Sequence, residues 1–227
     1  MESFIVTERH ICARFENLES DIMEKVREKL AGDELSCWDW WQDAYWMFEQ
    51  DMLDKYGIEI DTKQTHFSFG YSQSDYVAWH LHRFADFDKF LASLGFPEEH
   101  VKLIKLMDEY GVLTFYACSG GQWGHQCSNM EWEDIDYYDD IDTSEWPISQ
   151  DALCGKLSDA WDSFCSDRAY DLLKLIETEY EYHSSYEYIR ELAEANDWIF
   201  DIRTGELFHA DAGNVEIVTE PIEPEAA

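Results

Sequence analysis

The sequence predicts an α+β fold in which a small antiparallel sheet packs with several helices. Apolar residues recur at helical spacing in several segments, most clearly over 151–182, which predicts a long C-terminal helix. Shorter β-branched and aromatic runs between turn residues predict the strands. Aromatic residues make up 16% of the chain, so it can bury a substantial core, unlike a disordered acidic tail.

The first quarter of the chain contains one predicted strand and two predicted helices. Residues 4–15 are rich in β-branched and aromatic side chains, which favours a strand. Over 17–32 the apolar residues have helical spacing, and Gly32 is a candidate C-terminal cap. Ser36 is a candidate start for a second helix, which Gly57 would close.

The second helix has a broad aromatic face opposite a largely acidic one. Such a stripe is typical of a helix that packs on a hydrophobic core, and we interpret it so. The alternative is that the stripe forms a homodimer interface. The aromatic face consists of Trp38, Trp41, Tyr45, Phe48 and Met52.

The middle of the chain contains predicted strands and short helices. Residues 58–82 are predicted to be β-rich, because two aromatic runs flank the polar turn YSQSD. The other predicted elements are helices over 86–94 and 97–110, a strand over 112–118, a turn over 119–124 and a returning strand over 128–138.

The last third is predicted to be helical first and then to form a hairpin. From Ser149 the helical pattern continues for over thirty residues. Ser185 is a candidate N-cap for a further helix. Residues 198–209 then predict a β-hairpin that turns at Thr204 and Gly205.

No repeat and no Pro- or Gly-rich linker divides the chain. We therefore predict a single acidic α+β domain over 1–212 and a flexible acidic tail over 213–227. The N-terminus lacks the pattern of a signal peptide, and no apolar run is long enough to span a membrane. The six cysteines form no CxxC pair, which favours free thiols in a reducing cytoplasm.

The charge of the chain is its most unusual property. Fifty Asp and Glu oppose 16 Lys and Arg, which gives a formal charge of -34. Solubility needs a net charge of only about 2–8 in a small domain. A larger excess destabilises the compact state by self-repulsion, so we expect it to have a use. It argues against direct binding to nucleic acid or to anionic lipid, since phosphate contacts need Lys and Arg.

The acidic residues are unevenly placed along the chain. No Lys or Arg occurs from Leu106 to Gly155. This stretch contains a run of acidic residues that begins with Glu131 and Glu133. Because successive side chains of a strand point to opposite faces, at least these two carboxylates would lie on one exposed face. Neighbouring aromatic and Ile side chains would attach the run to the body. The acidic run, and the predicted partner-binding set, is Glu131, Glu133, Asp134, Asp136, Asp139, Asp140, Asp142 and Glu145.

Two explanations for the acidity remain open. Duplex DNA carries one charge per about 1.7 Å of axis, so a charge of -34 corresponds to about 17 base pairs. Carboxylates on a rigid scaffold would then replace phosphates in the basic groove of a DNA-binding protein. Adaptation to high salt is the competing explanation, which the many aromatic residues and six cysteines fit less well.

Histidines and cysteines offer weaker candidates for chemistry. His66, His80 and His82 lie near Asp75 in sequence, but they lack a recognised metal-ligand spacing. Cysteines also flank His125, although nothing in the sequence supplies the third group that a nucleophilic pair needs. The pairings considered are Cys118 or Cys127 with His125. We predict no catalytic residue, no metal and no cofactor.

Three segments resemble a family of uncharacterised bacteriophage and mobile-element proteins. The segment FSFGYSQSDYVAW over 67–79 is similar to that family's F-S-G-F-x-S-Q-G-D-G-A signature. GQWGHQCSNMEWE over 121–133 is similar to a later H-x-x-S-x-x-M stretch with acidic followers. Residues 172–207 resemble the family's closing helix pair and hairpin. The signature positions that match are Phe67, Ser68, Ser72, Gln73 and Asp75.

The resemblance covers about residues 35–209 and departs from the signature at Ser74 and Tyr76, where the family has Gly. It implies a phage-encoded protein in the cytoplasm of an infected bacterium. Phage proteins that counter restriction and other defences often mimic DNA by their acidity. The resemblance and the charge thus favour one hypothesis, a non-enzymatic inhibitor that blocks a basic DNA-binding surface of a host defence protein or nuclease complex.

Two other hypotheses come from different classes. The first is an antitoxin-like or other interaction module that acts through the turn of Ser72, Gln73 and Asp75. Its binding would persist at high salt, whereas that of a DNA mimic would not. The second is a small metal-dependent enzyme, which metal analysis of the purified protein would detect.

Overall fold

The computed structural model describes residues 9–37, 39–68, 76–120, 125–135, 141, 143–213 and 215–218. Within these residues the chain forms helices and small sheets, which confirms the predicted α+β class. The helices are α1 (Ser20–Cys37), α2 (Gln42–Tyr56), α3 (Phe87–Leu94), α4 (Glu98–Glu109), α5 (Gln150–His183) and α6 (Tyr186–Ala195). Short 3₁₀ helices span Phe15–Asn17 and Thr143–Glu145.

The described strands form one mixed sheet and three two-stranded ribbons. The sheet has the order β10-β1-β8-β9, with β1 and β10 parallel and the other pairs antiparallel. The ribbons are β2–β5, β3–β4 and β6–β7, all antiparallel. The strands are β1 (His10–Ala13), β2 (Ile58–Ile60), β3 (His66–Ser68), β4 (Tyr76–Ala78), β5 (Leu81–Phe84), β6 (Leu113–Gly120), β7 (His125–Trp132), β8 (Trp198–Asp201), β9 (Leu207–His209) and β10 (Val215–Val218).

Contacts along the chain divide it into two compact units. Unit 1 contains Met1–Trp41 and Thr178–Ala227, and unit 2 contains Gln42–Glu177. The single domain over 1–212 stays a prediction. The acidic tail predicted over 213–227 includes β10, and its residues from 219 onward lie outside the described part.

In unit 1, helices α1 and α6 pack on the mixed sheet. Apolar residues at helical spacing on α1 meet the inner face of β1 and β8. In the β8–β9 hairpin, the Asp201 carboxylate accepts hydrogen bonds from the backbone N–H groups of Arg203 and Thr204, both at 2.9 Å. The core consists of Ala13, Phe15, Leu18, Ile22, Val26, Leu30, Ala31, Ile189, Ala193 and Phe200.

Unit 2 is organised around Trp161, a fully buried residue of α5. Its indole N–H donates to the Tyr116 carbonyl on β6 at 3.0 Å, which satisfies the polar atom of the ring. The surrounding rings have centroids 5.4–6.0 Å from that of Trp161. They belong to Trp79, Phe84, Phe90, Phe115 and Phe164.

Several element predictions are confirmed by local chemistry. The Ser185 hydroxyl accepts from the Tyr188 N–H at 3.1 Å and caps α6 as predicted. Gly57 follows α2 with a φ of 66°, and Gly205 lies in the predicted hairpin turn with a φ of 73°. Three members of the predicted aromatic face, Tyr45, Phe48 and Met52, are buried on α2 as we interpreted them. The other two do not belong to this helix, since Trp41 precedes α2 and Trp38 lies outside the described residues.

Other element boundaries were predicted wrongly. Helix α1 continues through Gly32 to Cys37, because Gly32 does not adopt the left-handed conformation of a C-terminal cap. Helix α2 begins at Gln42 and not at Ser36, which is part of α1. The returning strand β7 begins at His125 and ends at Trp132, earlier than the predicted 128–138, because its pairing with β6 runs from Leu113 and Trp132 to Gly120 and His125.

Gly57 follows α2 and Gly95 follows α3, and the two glycines differ in how closely other atoms approach them. Gly57 and Gly95 both have left-handed φ angles, 66° and 70°. A Cβ on Gly57 would lie 2.4 Å from the Asp86 carbonyl oxygen, whereas one on Gly95 would meet nothing within 4 Å. We expect Gly95→Ala to lower the free energy of unfolding by about 1–2 kcal/mol, the cost of the conformation alone. Gly57→Ala should cost about 1–3 kcal/mol more, since it also overpacks a backbone contact.

Urea unfolding of the two variants measures this difference. Because both changes are Gly→Ala at helix C-termini of unit 2, Gly95→Ala is the matched control. Equal losses of stability would show that the approach of Asp86 to Gly57 is not a packing constraint.

Candidate acidic interaction surface

The predicted acidic set lies between the end of β7 and the start of α5. Of its members, the structure describes Glu131, Glu133, Asp134 and Glu145. All four are exposed. Asp136, Asp139, Asp140 and Asp142 lie outside the described residues. We use the name acidic segment for residues 131–145.

The β6–β7 register places the first carboxylate on the solvent side of the ribbon. Glu131 lies opposite Thr114, and both are exposed. The Asn129 side-chain amide donates to the Glu131 carboxylate at 3.3 Å. The Glu133 N–H donates to the Val112 carbonyl at 2.9 Å, so the pairing continues one residue beyond β7. Alternation then places Glu133 on the same side as Glu131, as predicted.

Gln150, the first residue of α5, holds the beginning of the acidic segment. Its amide nitrogen donates to the Glu133 carbonyl at 2.6 Å, and its amide oxygen accepts from the Ile135 N–H at 3.0 Å. Ile135 itself is completely buried. The predicted attachment of the segment to the body through Ile135 is therefore confirmed, and the neighbouring carboxylates are fixed on a folded scaffold.

The far end of the segment leads into α5 through local hydrogen bonds. Ile141 is half-buried, and the 3₁₀ helix after it carries the exposed Glu145. The Trp146 N–H donates to the Thr143 carbonyl at 3.1 Å. The Ser149 hydroxyl then accepts from the Ala152 N–H at 3.4 Å, in the manner of an N-cap.

A polar cleft of about 440 Å³ lies where the two ends of the acidic segment meet α5. The Trp132 indole N–H points to the Asp151 carboxylate across 3.4 Å. Two carboxylates beside hydroxyl and amide groups favour a cationic or hydrogen-bond-donating occupant, such as a Lys or Arg side chain. The lining residues are Trp132, Asp134, Thr143, Ser149, Gln150 and Asp151.

Many of the described Lys and Arg side chains, though not all of them, form ion pairs away from the acidic segment. Nine of these side chains form ion pairs with carboxylates, most of them three or four residues apart on one helix. Lys105, for example, lies 2.7 Å from Asp88. In the part of the chain that the structure describes, no Lys or Arg forms an ion pair with Glu131, Glu133 or Glu145. Glu131, Glu133 and Glu145 are thus exposed carboxylates with which no described Lys or Arg pairs.

The net charge is shared between the two units. Unit 1 carries 23 acidic and 7 basic residues, a net charge of -16. Unit 2 carries 27 acidic and 9 basic residues, a net charge of -18. The acidic segment is therefore distinguished by its lack of cations and not by holding most of the charge.

The structure describes the three candidate histidines between residues 66 and 82 but only some of the matched signature residues. Ser72, Gln73 and Asp75 lie outside the described residues, and in sequence they fall between the paired strands β3 and β4. The ring centroids of His66 and His80 are 6.1 Å apart. Burial is the main cause that lowers the pKa of His80, and the neighbouring His66 lowers it further.

The described His, Cys, Asp and Glu side chains do not form a group of three or more that is able to hold a metal ion. Cys118 and Cys127 lie directly opposite each other in the β6–β7 ribbon. Both are free thiols. The pairing of either cysteine with His125 as a nucleophilic site stays untested, since the His125 side chain is outside the described part.

Comparisons with protein-family models, with curated protein sequences and with solved structures give no match to this chain. The resemblance to a phage family therefore stays a prediction. None of the described helices has both the length and the apolar character needed to cross a membrane.

Sequence reasoning did not identify Gln150 or the polar cleft. Gln150 is an ordinary polar residue before a helical pattern, and only its position opposite Glu133 and Ile135 gives it a role. The cleft combines residues from three segments of chain, which no local pattern relates. Gln126 was also missed, although its side chain bonds the Trp79 backbone N–H at 2.8 Å.

Gln150→Ala tests whether this residue fixes the acidic segment. The change removes two hydrogen bonds and leaves the Ile135 N–H without that acceptor, so we expect a loss of about 1–3 kcal/mol in the free energy of unfolding. The Ile135 amide proton should exchange faster with solvent than in the parent protein. Hydrogen exchange followed by NMR or mass spectrometry measures this directly.

Gln64→Ala is the matched control, because Gln64 is exposed and, among the described residues, its side-chain amide donates to the partly exposed Asp61 carboxylate at 2.7 Å. Its effect should stay within about 0.5 kcal/mol. Unchanged exchange at Ile135 in Gln150→Ala would mean that the segment is held by other contacts.

Proposed function

We propose that this chain is a non-enzymatic acidic inhibitor that occupies the basic, nucleic-acid-binding surface of another protein. The observation that carries the proposal is the acidic segment. Its described carboxylates at Glu131, Glu133 and Glu145 are exposed, lack a cationic partner among the described residues and belong to a segment fixed to α5 by Gln150.

Fixed carboxylates are suitable substitutes for phosphates. An Arg side chain binds a carboxylate and a phosphate through the same forked pair of N–H donors. Holding the carboxylates in place before binding reduces the entropy that association costs. The buried Ile135 and the two Gln150 hydrogen bonds provide this preorganisation at one end of the segment.

The overall charge supports the same role at longer range. Net charges of -16 and -18 on the two units create a strongly negative field. Such a field accelerates encounter with a basic surface, and its effect falls steeply as salt is added. It also disfavours contact with nucleic acid itself. The target is therefore a protein that binds nucleic acid.

The resemblance to phage proteins suggests the biological setting. In that setting the chain acts in the cytoplasm of an infected bacterium, and its target is a host defence protein or a nuclease complex. A role in binding and not in catalysis agrees with the surface described above, whose members are carboxylates that face solvent.

A competition assay with charge variants tests the proposal. The parent chain should displace a labelled DNA duplex of about 20 base pairs, longer than the length equivalent to its charge, from at least one member of a panel of purified bacterial restriction enzymes, nucleases and nucleoid proteins. The triple variant Glu131→Gln, Glu133→Gln and Glu145→Gln should raise the inhibition constant about tenfold or more, since each lost charge weakens attraction to the basic groove.

The control carries the same change of charge at a different place. Glu28, Glu187 and Glu194 are exposed residues of unit 1, and their replacement by Gln should raise the inhibition constant only about twofold through the weaker overall field. Equal effects of the two triples would show that total charge acts without a defined site. Failure of the parent to displace DNA from any member would contradict the proposal itself.

A further inference from the structure

Two of the free thiols face each other across the β6–β7 ribbon. Cys118 and Cys127 are direct partners in the register. Cys127 is exposed and Cys118 is partly exposed. They lie on the outer side of the ribbon, the side that also presents Asn129 and Glu131. Both residues are therefore at least partly exposed to solvent.

The hydrogen-bond pattern of the ribbon defines the type of pair. The Glu133 N–H donates to the Val112 carbonyl, which places these two residues at the position of a hydrogen-bonded pair at the end of the ladder, although the Val112 N–H itself donates to the Met107 carbonyl. Such pairs recur at every second position along an antiparallel ladder, so Cys118 and Cys127 form another. The Cα atoms of these pairs are about 5.5 Å apart, within the range of about 4.4–6.8 Å found in disulfides.

The backbone around the two cysteines is held from the inner side of the ribbon. The Gln126 side-chain amide donates to the Cys127 carbonyl at 3.1 Å and approaches the Cys118 carbonyl at 3.5 Å. The same side chain bonds the Trp79 backbone N–H at 2.8 Å. The two thiols are thus kept opposite each other by contacts that do not involve the sulfur atoms.

The three other cysteines whose side chains are described, Cys12, Cys154 and Cys165, are buried. Burial raises the pKa of Cys12 to about 11 and that of Cys154 to about 12, in both cases with help from neighbouring carboxylates. Burial likewise raises the pKa of Cys165. Because the thiolate is the reactive form, these three thiols are expected to be inert at neutral pH.

A metal ion is a poorer explanation for the pair than a disulfide. Structural zinc takes four ligands, and thiolates supply them in groups of three or four or together with His. Within the described residues no third His, Cys, Asp or Glu joins Cys118 and Cys127 in such a group. Two opposed thiols without further ligands suit a two-electron oxidation to a disulfide.

We propose that Cys118 and Cys127 form a reversible redox site, a dithiol that hydrogen peroxide converts to a cross-strand disulfide. One thiol loses its proton, and the resulting thiolate attacks the peroxide to give a sulfenic acid and a hydroxide ion, which takes up that proton as one water. The second thiol displaces the sulfenic hydroxyl group, the S–S bond forms and a second water is released. Two thiols and one peroxide therefore give one disulfide and two waters, and peroxide receives the two electrons.

Low-molecular-weight thiols return the site to the dithiol by exchange through a mixed disulfide. Cβ atoms of directly opposed residues are about 4.5–5.5 Å apart and must approach to about 3.5–4.5 Å for the bond to form. A disulfide that requires this adjustment is more easily reduced than a relaxed one. The site accordingly stays reduced in a reducing cytoplasm and responds to a peroxide burst.

Thiol labelling of the folded protein tests the proposal in the Cys37→Ser background, which removes the cysteine whose side chain lies outside the described residues. Before oxidation, maleimide should label Cys118 and Cys127. After treatment with hydrogen peroxide, both labels should disappear, and peptide mapping should show a Cys118–Cys127 disulfide. Reduced glutathione should then restore both labels.

Single variants separate this site from other oxidation products. In Cys118→Ser and Cys127→Ser, peroxide should leave the remaining cysteine as a sulfenic acid that dimedone labels. A Cys118–Cys165 disulfide, a disulfide between two chains, or continued labelling of both thiols after peroxide would each overturn the proposal. Unfolding by urea in the reduced state checks that Cys127→Ser is folded, since this exposed change should alter stability by at most about 0.5 kcal/mol.

Discussion

The burial of Trp161 is the interaction on which unit 2 depends. Five other aromatic rings surround its indole ring, and its N–H is satisfied by the Tyr116 carbonyl of β6. Aromatic pairs of this kind contribute about 0.5–1.5 kcal/mol each beyond the burial of their area. These ring contacts hold α5 against the β6–β7 ribbon. The first residue of α5, Gln150, in turn holds the acidic segment by two hydrogen bonds.

The buried aromatic core allows the chain to stay folded despite the repulsion among its many carboxylates. Carboxylates repel one another in the folded state, and the ion pairs on the helices offset little of this, since exposed pairs contribute about 0.3–0.5 kcal/mol. Stability must therefore come from buried aromatic and aliphatic groups, such as the fully buried Trp79 and Phe90. Because the core supplies this stability, the chain can fold without neutralising the acidic segment.

Local chemistry explains which parts of the fold the sequence predicts well. The Ser185 cap, the glycine after α2 and the hairpin at Gly205 are each determined by a few neighbouring residues. The end of α1 was missed, because nothing near Gly32 forces the chain out of the helix and solvent surrounds it. The first and last residues of β7 also depend on its pairing with β6. The residue pattern of β7 by itself carries no information about that pairing.

The same distinction applies to the candidate sites. Exposed carboxylates can be predicted from alternation along a strand, as Glu131 and Glu133 were. The contact of Gln150 with Ile135 and the opposition of Cys118 to Cys127 depend on the register and on tertiary packing. Two cysteines nine positions apart face each other only in this register, and a shift by one residue would separate them.

The register of β7 is determined by what its inner face contacts. Met130 is buried, and the Ser128 hydroxyl donates to the Asp162 carboxylate of α5 at 2.8 Å. A shift by one residue would turn Glu131 inward and Met130 outward, and burying an unpaired carboxylate costs far more than burying Met gains. The packing that buries Met130 therefore also holds Cys127 and Glu131 outward, so β7 presents both one cysteine of the proposed redox pair and the first carboxylate of the proposed binding surface.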